Sequence, residues 1–271
     1  MFPMSVRNIR AAFRLVFTNF DSFLGAKILG DYGGLVLAWR KWSKSNGESK
    51  FGPLHLNGAV CGKLDSKSNL LIREIREQAD SILQGCGVDE RLSTPTLDGT
   101  IVAKQVVSDL ETKLPICMQL VNDNIRDQIS QFFGCAGELH EATLVRTHHV
   151  PSDISVQYET IADRYHLDIN RELLVNLFIA IEDIGISDGP FTYFNKADSV
   201  KLVKKYYSGR EAPPEKYEAL FKNNVFTAEA GEYVLFDGSS VLHRAQIPAP
   251  GRTRTSLHFL WRPASESSSV C

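Results

Sequence analysis

Residues 165–168 read Tyr-His-Leu-Asp (YHLD), and residues 231–245 read GEYVLFDGSSVLHRA. In an extended segment alternate side chains share a face, so His166 and Asp168 project one way and Leu167 the other. An imidazole and a carboxylate on neighbouring same-face positions can chelate one cation. The second stretch reads as a strand, a tight turn at Asp237-Gly238 and a short return strand carrying His243. That histidine is placed to supply a third ligand. Two histidines and one carboxylate on one face of an ion leave its remaining positions open, the arrangement typical of non-haem Fe(II) oxygenases. Nitrogen and oxygen ligands without a thiolate speak against a structural zinc site.

Strand signals surround these stretches. Leu173–Ile181 (LLVNLFIAI) is a short apolar run rich in β-branched residues, and Glu232–Phe236 (EYVLF) is bounded by Gly231 and Asp237-Gly238. Thr253–Trp261 (TRTSLHFLW) alternates polar and apolar residues after Pro248–Gly251. Earlier in the chain, residues from about 5 to 43, Asn69–Leu83 and Val106–Phe133 carry apolar residues at helical spacing. A polar loop at 43–50 (SKSNGESK) and a turn-rich segment at 93–99 (STPTLDG) separate them. Residues 199–223 form a charged helical interruption split by Pro213-Pro214. Helices followed by short antiparallel strands predict a mainly β, α+β fold: a jelly roll buttressed by N-terminal helices. The expected division is a helical segment over residues 1–50, a jelly-roll domain over 51–262 and a disordered tail over 263–271.

Arg252 and Arg254 stand nine and eleven residues beyond His243. A guanidinium offers a planar fork that matches a carboxylate bidentately and keeps its charge. It suits the distal carboxylate of a dicarboxylic cosubstrate whose other end chelates the metal. Alone, the two arginines read as surface residues on an edge strand; after a His-x-Asp and a later histidine they acquire a task. His55, His140, His148, His149 and His258 are assigned to structure or surface. The adjacent pair His148-His149 would face opposite ways on a strand and cannot chelate jointly.

The segment from Tyr165 to Phe194 (YHLDINRELLVNLFIAIEDIGISDGPFTYF) resembles the phytanoyl-CoA dioxygenase-like branch of the 2-oxoglutarate/Fe(II) oxygenases. That branch has His-x-Asp, an apolar strand ending in acidic residues and a Gly-Pro-aromatic turn, matched by Glu182-Asp183 and Gly189-Pro190-Phe191. Its later histidine and arginine match His243 and either Arg252 or Arg254. The spacing to His258-Phe259 places Arg252 first; the Arg-x-Ser pattern at Arg254-Thr255-Ser256 favours Arg254. The resemblance covers roughly residues 140–262. It implies a double-stranded β-helix, iron held by His166, Asp168 and His243, and a need for Fe(II), 2-oxoglutarate and O2. Hydroxylation of a small or carrier-bound molecule, with release of succinate and CO2, would be the outcome. Phe178 falls where the branch often has an aromatic lining the cosubstrate pocket. An intact Asp168 points to oxygen insertion or desaturation, because halogenating members carry a small residue there. Asn195–Ser199 departs from the Pro-Gly-Ser-His pattern common in the branch. The pocket walls are expected from the N-terminal helices and residues 199–223. Two rival readings are a cupin-type metalloenzyme that does not use 2-oxoglutarate and a non-catalytic jelly-roll binding protein.

Composition narrows the partners. The chain has 271 residues, 43% of them hydrophobic, enough for a sizeable core. A formal net charge of -2 provides no global attraction for nucleic acid or an anionic membrane, so any such contact would be local; a small-molecule substrate is what the resemblance implies. Five scattered cysteines without a CxxC pair disfavour a disulfide framework and agree with a reducing cytoplasm. No apolar run has transmembrane length. The basic amphipathic stretch in the first twenty residues fits a helix packed on the core, a membrane-surface helix or an organellar targeting segment.

Overall fold

The computed structural model describes residues 52–85, 91–96, 99–151, 163–168, 173–206 and 214–264. The expected helical segment over 1–50 and the tail from residue 265 lie outside them. The spine is β10 (Thr253–Pro263), which pairs antiparallel with β4 (Gly137–His148) on one side and β5 (Val175–Ala180) on the other. Beyond β5 come β8 (Glu232–Phe236) and β1 (Ala59–Lys63); beyond β4 come β3 (Gly99–Val107) and β2 (Arg91–Thr96). These seven strands form one antiparallel sheet. A smaller sheet has β6 (Phe191–Tyr193) between β7 (Asn224–Phe226) and β9 (His243–Ala245). The strand–turn–strand at residues 232–245 is therefore a crossing from the large sheet to the small one, and the two sheets form a jelly roll.

Strand alternation divides the interior into two layers. On β5, Val175, Leu177 and Ile179 face the same side as Tyr233 and Leu235 of β8 and Leu257, Phe259 and Trp261 of β10. That side is covered by α1 (Pro53–Asn57), α2 (Ser68–Gln84), α3 (Leu110–Lys113) and α4 (Asp123–Phe133). Helix α2 buries Ile72, Ile75, Ala79 and Leu83, a spacing that keeps one stripe on the sheet. Helix α4 buries Ile125, Ile129, Phe132 and Phe133. Asn122 caps α4 by accepting a hydrogen bond from the Ile125 N–H (3.1 Å), and Gly134 closes it in the left-handed region. The opposite face contributes Ala180, Val234 and Phe236, which pack with Phe191 and Phe226 of the small sheet. A third cluster joins Tyr165, Leu167, Phe194 and Leu242 to Leu202 of α5 (Lys196–Tyr206) and Tyr217 of α6 (Pro214–Glu218).

Two expectations fail locally. Val106-Val107 belongs to β3, not to a long helix through Phe133; the β-branched pair continues the strand, and Pro115 starts a separate 3-10 turn (Pro115–Leu120) before α4. Ser93–Thr96, read as turn-rich, belongs to β2 and pairs with β3 in a hairpin. The helices are thus interleaved with edge strands instead of preceding all of them. No helix among the described residues is long and apolar enough to cross a membrane. Because Phe259 is 1% exposed and joins β10 to the helical layer, Phe259→Ala should destabilise the protein by about 3–5 kcal/mol in urea unfolding.

Candidate metal centre

The ligand segment is extended but forms no regular strand. His166 and His243 make a reciprocal backbone bridge: the His166 N–H donates to the His243 carbonyl (2.9 Å) and the His243 N–H to the His166 carbonyl (3.1 Å). Two residues on, the Asp168 N–H donates to the Gly238 carbonyl (2.9 Å). The three side chains converge, with one ligand atom from each lying within 4.8 Å of the others. Asp168 Oδ1 is 3.8 Å from His166 Nε2 and 3.6 Å from His243 Nε2. Two bonds of roughly 2.0–2.2 Å to a shared ion span such gaps.

Local hydrogen bonds fix the donor atoms. His166 Nδ1 donates to the Arg164 carbonyl (2.8 Å) and His243 Nδ1 to the Val241 carbonyl (3.0 Å). These contacts turn each Nε2 toward Asp168, as a shared metal ion would require. The Asn176 amide donates to Asp168 Oδ2 (3.2 Å), which leaves Oδ1 for the ion. Burial pushes the Asp168 carboxyl up, yet the two imidazoles and Asn176 outweigh it and hold the group well below the usual range. Gly238 is required here: a Cβ at that position would stand 2.1 Å from Asp168 Oδ2.

A cavity of about 270 Å³ opens from the triad between the sheets. Phe178, Phe191 and Phe236 line it, as do the residues of β10 that share one parity, Arg254, Ser256 and His258. Arg254 is 7% exposed. Its guanidinium donates to Thr147 Oγ1 (3.4 Å) and the Gln246 carbonyl (3.3 Å), and no described carboxylate forms an ion pair with it. Burial pulls its pKa down to about 10. Arg252 precedes β10, in the turn that follows Pro248. It is more than half exposed, donates to Asp188 Oδ1 (2.7 Å) and does not line the cavity. The order favoured by counting back from His258 is therefore reversed in the cavity, because Arg252 lies before the alternation of β10 begins.

Phe178 lines the cavity and stacks on His258, with ring centroids 3.8 Å apart. His258 had been assigned to structure or surface, and the fold places it in the cavity wall. Its signal was present in the sequence: it shares the parity of Arg254. Its Nε2 lies 2.9 Å from Ser256 Oγ, and burial, with help from Arg254 and Lys104, lowers its pKa to about 3. His148 bonds Gln105, and His149 donates to the Pro248 carbonyl. The expected pocket walls also differ. No residue of the described helices lines the cavity, and α5 and α6 pack behind the segments that carry His166 and His243. Asn195, in the departing segment, accepts from the Asp198 N–H (2.8 Å) at the start of α5, so helix initiation explains that stretch.

No protein-family model matches the chain. No curated protein matches it in sequence. Solved structures do. SnoN, a non-haem alpha-ketoglutarate-dependent epimerase from nogalamycin biosynthesis, superposes with a TM-score of 0.55 at 15% identity, over 78% of this chain and 79% of that one. EctD from S. alaskensis, solved with 2-oxoglutarate and 5-hydroxyectoine, gives 0.55 at 10% identity, over 78% and 73%. AviO1 from Streptomyces viridochromogenes gives 0.53 at 14% identity, over 80% and 98%. The likeness is one of fold.

Gly238→Ala should displace the Asp168 carboxylate and weaken Fe(II) binding about tenfold or more, measured by anaerobic titration, with the melting temperature little changed. His258 gives a pH signature. It stays neutral in the fold down to about pH 3, while an ordinary histidine protonates near 6.5. Protons therefore favour the unfolded chain inside that window, and stability falls by about 1.4 kcal/mol per pH unit as pH drops from about 6.5. His258→Gln should remove that contribution, so that wild type loses about 2–3 kcal/mol more than the variant between pH 7 and 4.5 in urea unfolding.

Proposed function

We propose that the chain is an Fe(II)- and 2-oxoglutarate-dependent dioxygenase that hydroxylates a small or carrier-bound molecule, releasing succinate and CO2. The observation that carries this reading is Arg254: a buried cation that forms no ion pair with any described carboxylate, in the same cavity as a two-histidine, one-carboxylate cluster. A dicarboxylic acid bearing a keto group next to one carboxylate satisfies both ends at once. A metalloenzyme without that cosubstrate would leave the guanidinium with nothing to neutralise.

His166, Asp168 and His243 hold Fe(II) through Nε2, Oδ1 and Nε2. Arg254, steadied by Thr147 and the Gln246 carbonyl, receives the distal carboxylate of 2-oxoglutarate. Phe178 and Phe236 form apolar wall between the two ends and exclude water. Arg252 holds the turn before β10 through Asp188 and stays outside the cavity. Iron, with O2 and 2-oxoglutarate, supplies the power to oxidise a C–H bond; the protein binds, orients and shields. The motif resemblance over residues 140–262 supports the phytanoyl-CoA dioxygenase-like branch, with residues 51–262 as the catalytic unit; the scattered cysteines support the cytoplasm, with organellar targeting by the basic N-terminal stretch as the alternative.

Anaerobic Fe(II) and 2-oxoglutarate should together give the weak visible charge-transfer band of a chelated complex, lost in His166→Ala or His243→Ala. Arg254→Ala removes the partner of a buried carboxylate, worth on the order of 2–5 kcal/mol. Titrating 2-oxoglutarate into the Fe(II) protein should show its affinity lowered tens-fold or more in Arg254→Ala and nearly unchanged in Arg252→Ala. Normal affinity in both variants would remove 2-oxoglutarate from the proposal.

A further inference from the structure

The residues that alternate with the metal ligands point away from the cavity into one buried cluster. Tyr165 and Leu167 flank His166, and Leu242 precedes His243; all are buried with Phe194, Leu202 and Tyr217. Arg244 follows His243, and its guanidinium lies over the Tyr165 ring (5.2 Å). Three donors then meet one oxygen from the insertion. Glu218 Oε1 accepts from Arg244 Nη2 (2.8 Å), Tyr165 Oη (3.0 Å) and Asn223 Nδ2 (3.1 Å). Arg244 Nη1 also donates to the Asp163 carbonyl (3.3 Å). At the other end of the insertion, buried Ser199 accepts from the Leu242 N–H (2.9 Å) and donates to the Phe194 carbonyl (3.2 Å). His243 is thus gripped through both neighbours, Leu242 by α5 and Arg244 by α6. His166 is gripped through Tyr165, which follows the carbonyl that orients its imidazole.

We infer that α5 and residues 214–223 form a clamp that positions the two metal-binding histidines, with Glu218 as its positioning residue. The inference rests on the reading of His166, Asp168 and His243 as a metal site. Glu218 touches neither metal nor substrate; it acts by tying the Tyr165 side chain of one ligand segment to the Arg244 side chain of the other. The bridge between His166 and His243 has only two backbone hydrogen bonds. Without the carboxylate, a mostly buried guanidinium loses its anion, and Tyr165 loses its acceptor at the same point. The two ligand segments then keep their bridge but lose the tie that sets their angle.

The test is an anaerobic Fe(II) titration of the full chain at low temperature, with the 2-oxoglutarate charge-transfer band as a second readout. Glu218→Ala should weaken Fe(II) binding about tenfold or more, the size typical for losing a group that orients a ligand, and should shift or broaden the band. Glu218→Gln retains an acceptor for Tyr165 and Arg244 and should recover most of the affinity. Arg244→Lys, which keeps the charge but loses the fork, should fall between. The control is Leu202→Ala, which loosens the same cluster without touching the hydrogen-bond network. It should lower the melting temperature and leave Fe(II) affinity close to wild type. If Glu218→Ala melts early but binds Fe(II) with wild-type affinity and an unchanged band, Glu218 is merely structural and the clamp is overturned. If affinity falls equally in Leu202→Ala, general loosening explains the effect and the clamp is again overturned. If wild type itself binds no Fe(II), the metal reading fails first and takes the clamp with it.

Discussion

The backbone bridge between His166 and His243 is the constraint on which the centre depends. It joins two segments about eighty residues apart in the chain, and only one of them, His243–Ala245, belongs to a regular strand. The bridge fixes the separation of the two imidazoles. The carbonyls of Arg164 and Val241 fix their orientation, and Gly238 leaves room for the Asp168 carboxylate between them. Each of these is a backbone feature. A backbone-built site keeps its geometry because strands and turns cannot rotate as side chains do, which is the preorganisation that metal chemistry demands.

The sequence disclosed the centre better than its surroundings, for a physical reason. His-x-Asp and the strand–turn–strand ahead of His243 are local patterns whose side-chain directions follow from extended geometry alone. The cores of β5, β8 and β10 were legible too, since buried strands announce themselves by alternation and composition. Arg252 against Arg254 was harder. Both have the parity of a cavity residue, and only the tertiary placement of the turn after Pro248 shows that Arg252 sits before the strand. His258 was passed over because a histidine is commonly structural, although its parity with Arg254 was countable. β2 and the end of β3 were missed because Ser, Thr and Pro look like turn residues until a partner strand pairs with them, and β-branched residues at Val106-Val107 satisfied a helical count as well as a strand one.

The insertion shows a further limit of local reading. Residues 199–223 read as a charged helical interruption expected to wall the cavity. The fold sends their apolar residues to the far side of the ligand segments instead. The decisive contacts are polar and long-range: Glu218 to Arg244 and Tyr165, and Ser199 to the Leu242 N–H. No periodicity encodes such pairings.

The electrostatics of the cavity are divided along β10. Asp168, His166 and His243 stand at one end, and Arg254 lies within the same enclosure with no described carboxylate in an ion pair with it. A buried guanidinium hydrogen-bonded to a hydroxyl and a carbonyl is costly, since neutral acceptors do not replace water for a full charge, and the Asp188 charge offsets part of that cost. His258 beside it stays uncharged and adds no second cation. An anion entering the cavity would offset more of the cost of burying Arg254. A dianionic ligand that spanned metal and guanidinium would stabilise the fold by mass action as well as complete the site.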